Sequence, residues 1–470
     1  MRNGKALHFE GLTEVARRIE VGELSSAELT QAILDRIQAL DGRLHSYITV
    51  MADHALSAAR AADAEIRSGK YRGPLHGVPI AVKDLLYTKG VRTTGGLGPL
   101  IDFVPSEDAT VVRKLEAAGA VLLGKLTTTE GGMAGYNPAF EVPINPWGDD
   151  LWPGVSSSGS GISAAAGLSF ASIGSDTGGS IRFPAMCNGV VGLKPTYGRV
   201  SRHGVLVLAD SLDHLGPLTR RTADAAVVLE VIAGYDAMDA TSLSDPVPNM
   251  LEEINRGVEG QRIGFDRAWA SDGVDSELVS AIEVALETLQ ALGAQIVDVK
   301  VPTLDEPDGD WFTICMVEAL SAHAATFPSR ADEYGPYFRD FLEAASAVTE
   351  EQYTSARRVR AAFNERFTNL LGSVDAIAAP SGGVPFVIEP GVQRGNMAAF
   401  EQAMPLLQMQ FTVPADFAGT PTLTLPCGSS SRGLPLSFQF MGGRLTEPGL
   451  CRIGQAFEGA TEWHLRHPEI

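Results

Sequence analysis

Apolar positions recur at helical spacing in residues 23–40, ELSSAELTQAILDRIQAL, where Leu29, Ile33, Ile37 and Leu40 share one face behind Ser25 and Ser26, either of which can cap the helix. This predicts an amphipathic surface helix, and a second helix follows over about 52–68 before Gly73-Pro74 breaks the pattern. GVPIAV (77–82) is a short continuous apolar run of buried-strand type, and a helix over 107–118 leads into the strand AVLLG, 120–124. The same alternation returns with strand RIGF (262–265), helix 276–292 and strand QIVDV (295–299). Residues 304–372 read as mainly helical. DAIAAP (375–380), TLTLP (422–426) and PLSFQFMG (435–442) read as closing strands, the last before a helix near 447–460. Strands alternating with helices, without an internal repeat, predict an α/β fold.

Between Pro143 and Gly204 the pattern changes to Gly, Ser and Ala, with prolines at 143, 146, 153, 184 and 195. A linker would be more monotonous or more charged, and here small residues alternate with apolar stretches such as ISAAAGLSFASI and GVVGL. The expectation is closely packed backbone around a site.

Composition narrows the partners. A chain of 470 residues has the length of roughly three average domains, yet a large α/β fold can carry it as one unit with a sizeable core. With 37 Lys and Arg against 57 Asp and Glu, the net charge of −20 repels nucleic acid and anionic membranes. Cys187, Cys315, Cys427 and Cys451 are far apart with no CxxC, which argues against a disulfide framework or structural zinc and fits a reducing compartment. The N-terminal MRNGKALHFEGLTEVARRIE has no apolar leader core, and no apolar run approaches the roughly 18 residues of a membrane span. The expectation is a soluble, cytoplasmic protein.

Several motifs fail. Gly119–Lys125 begins like a phosphate-binding loop, but its middle is apolar strand and Leu126 follows the lysine. The nine histidines include no HExxH, and His464 with His467 lacks a third ligand, so neither a metal nor another cofactor is expected. Neither Ser156 nor Ser180 completes GxSxG, and no lysine has a serine three residues before it.

What remains is a constellation. Ser180 follows two glycines in GSDTGGSIRFP (174–184), where bare backbone N–H groups can approach a reacting oxygen; the fragment alone also reads as a Gly-rich turn with a solvent-facing serine. PGVSSSGSG (153–161) is a hydroxyl cluster or a flexible loop. Lys83 ends the GVPIAV run, where burial would lower its pKa and make it a general base; a snorkelling lysine, or one paired with Asp84, is the other reading. Lys194 in GVVGLKP has no obvious partner and reads as structural.

GVSSSGS, GSDTGGSIRFP and CNGVVGLKPTYGRVS, with GVPIAVKDL before them and SLDHLGPLTR after, resemble the amidase signature family of serine hydrolases. The motifs span about 77–220, and TVPADFAGTPTLTLPCG extends a weaker similarity towards the C-terminus. The resemblance implies one amidase signature domain over 1–470, a mixed sheet flanked by helices, with 77–220 as catalytic core and 304–372 as a helical cap over the pocket. It makes Ser180 the nucleophile, Ser156 a bridging serine after a cis peptide, Lys83 the base, and the backbone N–H groups of Thr177, Gly178, Gly179 and Ser180 the oxyanion hole. Val155 stands where the family usually has glycine, and Asn188 separates Cys187 from Gly189.

The implied activity is hydrolysis of a small-molecule carboxylic amide, aryl amide or carbamate, with no cofactor. Gly131, Gly132 and Met133 are candidate borders of the acyl pocket, and Trp311, Phe312, Tyr334, Tyr337 and Phe338 belong to the cap region or to ordinary core. Two other readings stay open: a glutamine-hydrolysing A-type subunit of a tRNA-dependent amidotransferase, and a non-catalytic protein retaining the fold. A homo-oligomer is compatible with the sequence.

Overall fold

The computed structural model describes residues 6–304 and 307–470. Met1–Lys5, part of the stretch read for a leader, and Asp305 and Glu306, at the start of the expected cap, lie outside them. The strands are β1 Tyr47–Val50, β2 Pro79–Lys83, β3 Val121–Leu126, β4 Ala171–Asp176, β5 Val191–Lys194, β6 His214–Thr219, β7 Arg262–Phe265, β8 Gln295–Asp298, β9 Ala376–Pro380, β10 Thr422–Ser429 and β11 Pro435–Met441. Among the described residues they form one sheet in the order β1-β3-β2-β4-β6-β5-β10-β11-β9-β7-β8. β2 runs parallel to β3 and β4, and β7 parallel to β8 and β9, while the pairs between these groups are antiparallel. The fold is therefore a single α/β domain built on a large mixed sheet flanked by helices.

The central strands are buried along their whole length, which is why they read as continuous apolar runs rather than alternating ones. Ser25 caps the helix Ser26–Leu44 by accepting the Glu28 N–H, and Leu29, Ile33 and Ile37 are buried beneath it. The stretch 304–372 contains the helices Pro307–Ala322, Pro336–Ala345 and Glu350–Leu371, the last opened by a Thr349/Gln352 capping box. Phe338, Phe341, Phe363 and Phe367 join these helices in a second apolar core beside the sheet. Among the described residues no helix is long and apolar enough to cross a membrane.

Candidate active site

Lys83 is the last residue of β2, and the register of β2 with β4 pairs Val82 with Ile173, so the lysine stands beside the carboxyl end of β4. In α/β sheets the crevice beyond the carboxyl ends of parallel strands is where ligands bind. The lysine is fully buried, its Nζ 2.6 Å from Ser156 Oγ, 3.0 Å from Ser157 Oγ and 2.8 Å from Ser175 Oγ. All three partners are hydroxyls, so nothing in direct contact compensates a positive charge. Burial pushes Lys83 down to about 7, with Asp213 and Asp176 pulling weakly the other way.

The hydroxyl cluster is an ordered loop. The Val155–Ser156 peptide is cis, and the loop runs into the helix Ser158–Ala165. Ser157 Oγ donates to the Ser175 carbonyl at 3.0 Å and accepts the Ser175 N–H at 3.1 Å, locking the loop against β4. Asn188, the residue that interrupts Cys-Gly, donates its amide to the Pro153 and Pro184 carbonyls at 3.0 and 2.9 Å and pins the loop from the other side.

Ser180 lies on the turn between β4 and the helix Arg182–Asn188, and its carbonyl accepts the Ser157 N–H at 3.3 Å, which joins turn to loop. Asp176 shapes this turn, accepting the N–H groups of Gly179 at 2.7 Å and Ile181 at 2.9 Å. The Arg182 guanidinium is fully buried, 2.8 Å from Asp176 Oδ1 and 2.5 Å from Asp416 Oδ2, and donates to the Thr412 carbonyl at 2.7 Å. Burial would raise the Asp176 carboxyl, but Arg182 beside it holds it well below the usual range. Asp416 moves up instead, because burial and the neighbouring Asp176 outweigh what Arg182 offers it. Thr177 Oγ1 donates to Asp213 Oδ1 at 2.6 Å, and burial raises Asp213 to about 6.

A cavity opens above this turn. Thr177, Gly178 and Ser180 form its floor, with Gly132, Met133 and Val155 at the side. Trp311, Phe312, Tyr337, Phe400, Leu407 and Met409 form the opposite wall. Among the described residues no charged side chain lines it.

The expectation for Gly131 is corrected. Gly131 lines a different cavity, with Phe103, Leu206 and Tyr334, and only Gly132 and Met133 reach the one at Ser180. Asp84, in the turn just after β2, does not pair with Lys83: it accepts the Thr94 N–H and hydroxyl and stands 3.7 Å from Lys125. Lys194, read as structural, donates to the Thr420 carbonyl at 2.6 Å and to those of Pro195 and Ala415 at 3.4 Å, partners the sequence does not show. Asp213 lies in SLDHLGPLTR, and Thr412 and Asp416 lie in TVPADFAGTPTLTLPCG, stretches that carry the family resemblance, yet they drew no role in the sequence reading because their partners stand 36 to 234 positions away.

The family model described as Amidase matches residues 28–451. A Mycobacterium tuberculosis protein that bears the name "Putative amidase AmiD" is 44% identical over 463 residues, covering 98% of this chain and 96% of that protein. The A-type subunit of the glutamyl-tRNA(Gln) amidotransferase of Geobacter metallireducens is 38% identical, covering 97% of this chain and 98% of that protein. Among solved structures, the peptide amidase PAM in complex with the competitive inhibitor chymostatin superposes with a TM-score of 0.85 at 32% identity, over 98% of this chain and 99% of that one.

Proposed function

Since the chain belongs to the amidase family of hydrolases acting on C–N bonds, we propose that it is a self-sufficient amidase, cleaving neutral amides with an apolar acyl group through a Ser180 acyl-enzyme. The observation that carries this reading is Lys83, buried among hydroxyls and brought down to about 7, beneath a serine that faces an uncharged cavity.

Hydroxyl bookkeeping gives the direction of proton flow. The Ser157 proton is committed to the Ser175 carbonyl, so Ser157 only accepts from Lys83. A neutral amine has two N–H bonds and one lone pair, so one of its three hydroxyl contacts donates to it, and the mechanism gives that role to Ser156, at the shortest contact. In this mechanism Lys83 takes the Ser156 proton while Ser156 takes that of Ser180, whose Oγ forms the bond to the amide carbon. The carbonyl electrons move onto oxygen, which the N–H groups of the turn stabilise. The Gly179 N–H is engaged by Asp176, which leaves those of Thr177, Gly178 and Ser180 to do so. The relay returns a proton to the nitrogen as the C–N bond breaks, and water then hydrolyses the ester by the reverse sequence.

The apolar lining also separates this reading from glutamine hydrolysis. Glutamine carries an α-ammonium and an α-carboxylate, and burying either without a partner is costly. Among the described residues the cavity lining supplies neither partner. Turnover by the purified chain on hexanoyl p-nitroanilide, benzamide, an aryl carbamate and glutamine, with Ser180→Ala as blank, tests the assignment. Release of nitroaniline by the chain alone supports it, and activity confined to glutamine would overturn it.

A further inference from the structure

The turn that carries Ser180 is gripped on its carbonyl side by two side chains from remote segments. Trp311 Nε1 donates to the Thr177 carbonyl at 2.9 Å, and Thr412 Oγ1 donates to the Gly178 carbonyl at 2.7 Å. Both side chains are buried. A trans peptide is planar, and its C=O and N–H point in opposite directions. Fixing the Thr177 oxygen therefore aims the Gly178 N–H, and fixing the Gly178 oxygen aims the Gly179 N–H, which meets Asp176 Oδ1 at 2.7 Å.

The second peptide is thus held at both ends and the first from its oxygen. The indole also presses on the backbone itself: a Cβ on Gly178 would stand 2.5 Å from Trp311 Cζ2. Thr412 is set in turn by Arg182, whose Nη1 donates to the Thr412 carbonyl, so Asp176, Arg182, Thr412 and Gly178 form a closed circuit of directed bonds under the turn.

We propose that Trp311 and Thr412 are positioning residues: Trp311 aims the Gly178 N–H at the developing oxyanion, and Thr412 locks the next peptide, which Asp176 holds from its N–H end, so that the turn is fixed between the Gly178 and Ser180 N–H groups, an inference that rests on the reading of Ser180 as nucleophile. Neither reaches the reacting atoms, and both act through the carbonyl they bind. Trp311 has a second face in the cavity, so an acyl group packed against its ring steadies the same bond that orients the Gly178 N–H. Acyl binding and oxyanion stabilisation are thereby coupled through one side chain.

Labelling of the full-length chain by octyl fluorophosphonate tests this without knowledge of the natural substrate. Ser180 Oγ bonds to phosphorus as fluoride leaves, the proton passes to the Ser156–Lys83 side, and the phosphoryl oxygen occupies the hole. The saturating rate and the half-saturating concentration are measured separately by intact mass. Thr412→Val and Trp311→Phe, each removing one donor, should slow the saturating rate at least about tenfold, with little change in half-saturation for Thr412→Val. Thr412→Ser, which keeps the hydroxyl, should stay within about threefold of the unmodified chain.

Unchanged rates in Thr412→Val and Trp311→Phe would overturn the proposal, and Trp311→Phe decides alone if Thr412→Val does not fold. A loss in Thr412→Ser as large as in Thr412→Val would overturn it too, because shape rather than the hydrogen bond would then be responsible. Failure of the unmodified chain to label at Ser180 is a different result, and removes the nucleophile assignment itself.

Discussion

The floor of the cavity, Lys83 with residues 156–182, is held by directed bonds among buried polar groups, whereas the wall, drawn from 307–345 and 400–409, is held by apolar contact. On the floor nearly every position is specified at both ends: Ser157 alone bonds Lys83, the Ser175 N–H and the Ser175 carbonyl. On the wall Phe338 and Phe341 stack at 5.9 Å between centroids, and Tyr337 meets Phe400 edge-on at 5.5 Å. Buried polar networks are costly when partly satisfied, while apolar cores accept volume-conserving exchange. Floor substitutions should therefore act on every substrate alike, and wall substitutions other than at Trp311, which bonds the floor, should change the ratio between substrates.

The largest effect tests the floor. Ser180→Ala should lower turnover of any accepted amide by at least about 10⁴-fold, since loss of a nucleophile removes the covalent route. Retention of most activity in steady-state assays would sink the assignment. Next comes pH. Lys83 works as the free amine, and with its value near 7 the neutral fraction falls about tenfold per unit below that. The acylation rate should rise from pH 5 to about pH 7 and then level. An acylation rate flat down to pH 5, followed by the nitroaniline burst, would exclude a lysine base.

The same contrast governs what the chain discloses before its fold is known. RIGF forms β7 within its read bounds, and the helix read at 276–292 spans Ser276–Ala291, because periodicity and flanking breakers act locally. β4 and β6 escape a reading from pattern: Ser172, Gly174 and Ser175 in one, and Gly216 and Pro217 in the other, have little strand preference and are held by pairing on both sides. The floor is legible because, Lys83 apart, its residues cluster in one Gly/Ser-rich window, and the family resemblance of that window and of GVPIAVKDL gives them roles that each fragment alone leaves open. The wall is not, because Trp311, Phe400 and Met409 are residue types any core uses, and only the fold brings them to one cavity.

A smaller effect sharpens the wall. Leu407→Ala enlarges the cavity away from the turn, and one pocket side chain is worth roughly 1–3 kcal/mol in discrimination. The ratio of kcat/KM for hexanoyl over acetyl p-nitroanilide should move about tenfold or less, while the pH midpoint stays in place. A shifted midpoint would mean that floor and wall are not separable.

The smallest effect lies at the joint between them. Glu130, just after β3, accepts the Asn137 amide at 2.8 Å and the Gly335 N–H at 2.8 Å, so one carboxyl bolts the loop bearing Gly132 to the helix bearing Tyr337. Burial raises it from 4.5 to about 7, against those hydrogen bonds. The folded chain thus keeps the proton that the unfolded chain releases between these values, and stability falls as pH rises through that window, with the full loss above about 7. Glu130→Gln cannot ionise, and any penalty from its amide is the same at each pH. The variant's Tm relative to the unmodified chain should therefore rise by about a degree or two between pH 5 and pH 8, as expected for a chain of this size. A Tm difference that is constant or falls across that range would show that the joint is ionised throughout, and that loop and helix are tied by charge as the floor is.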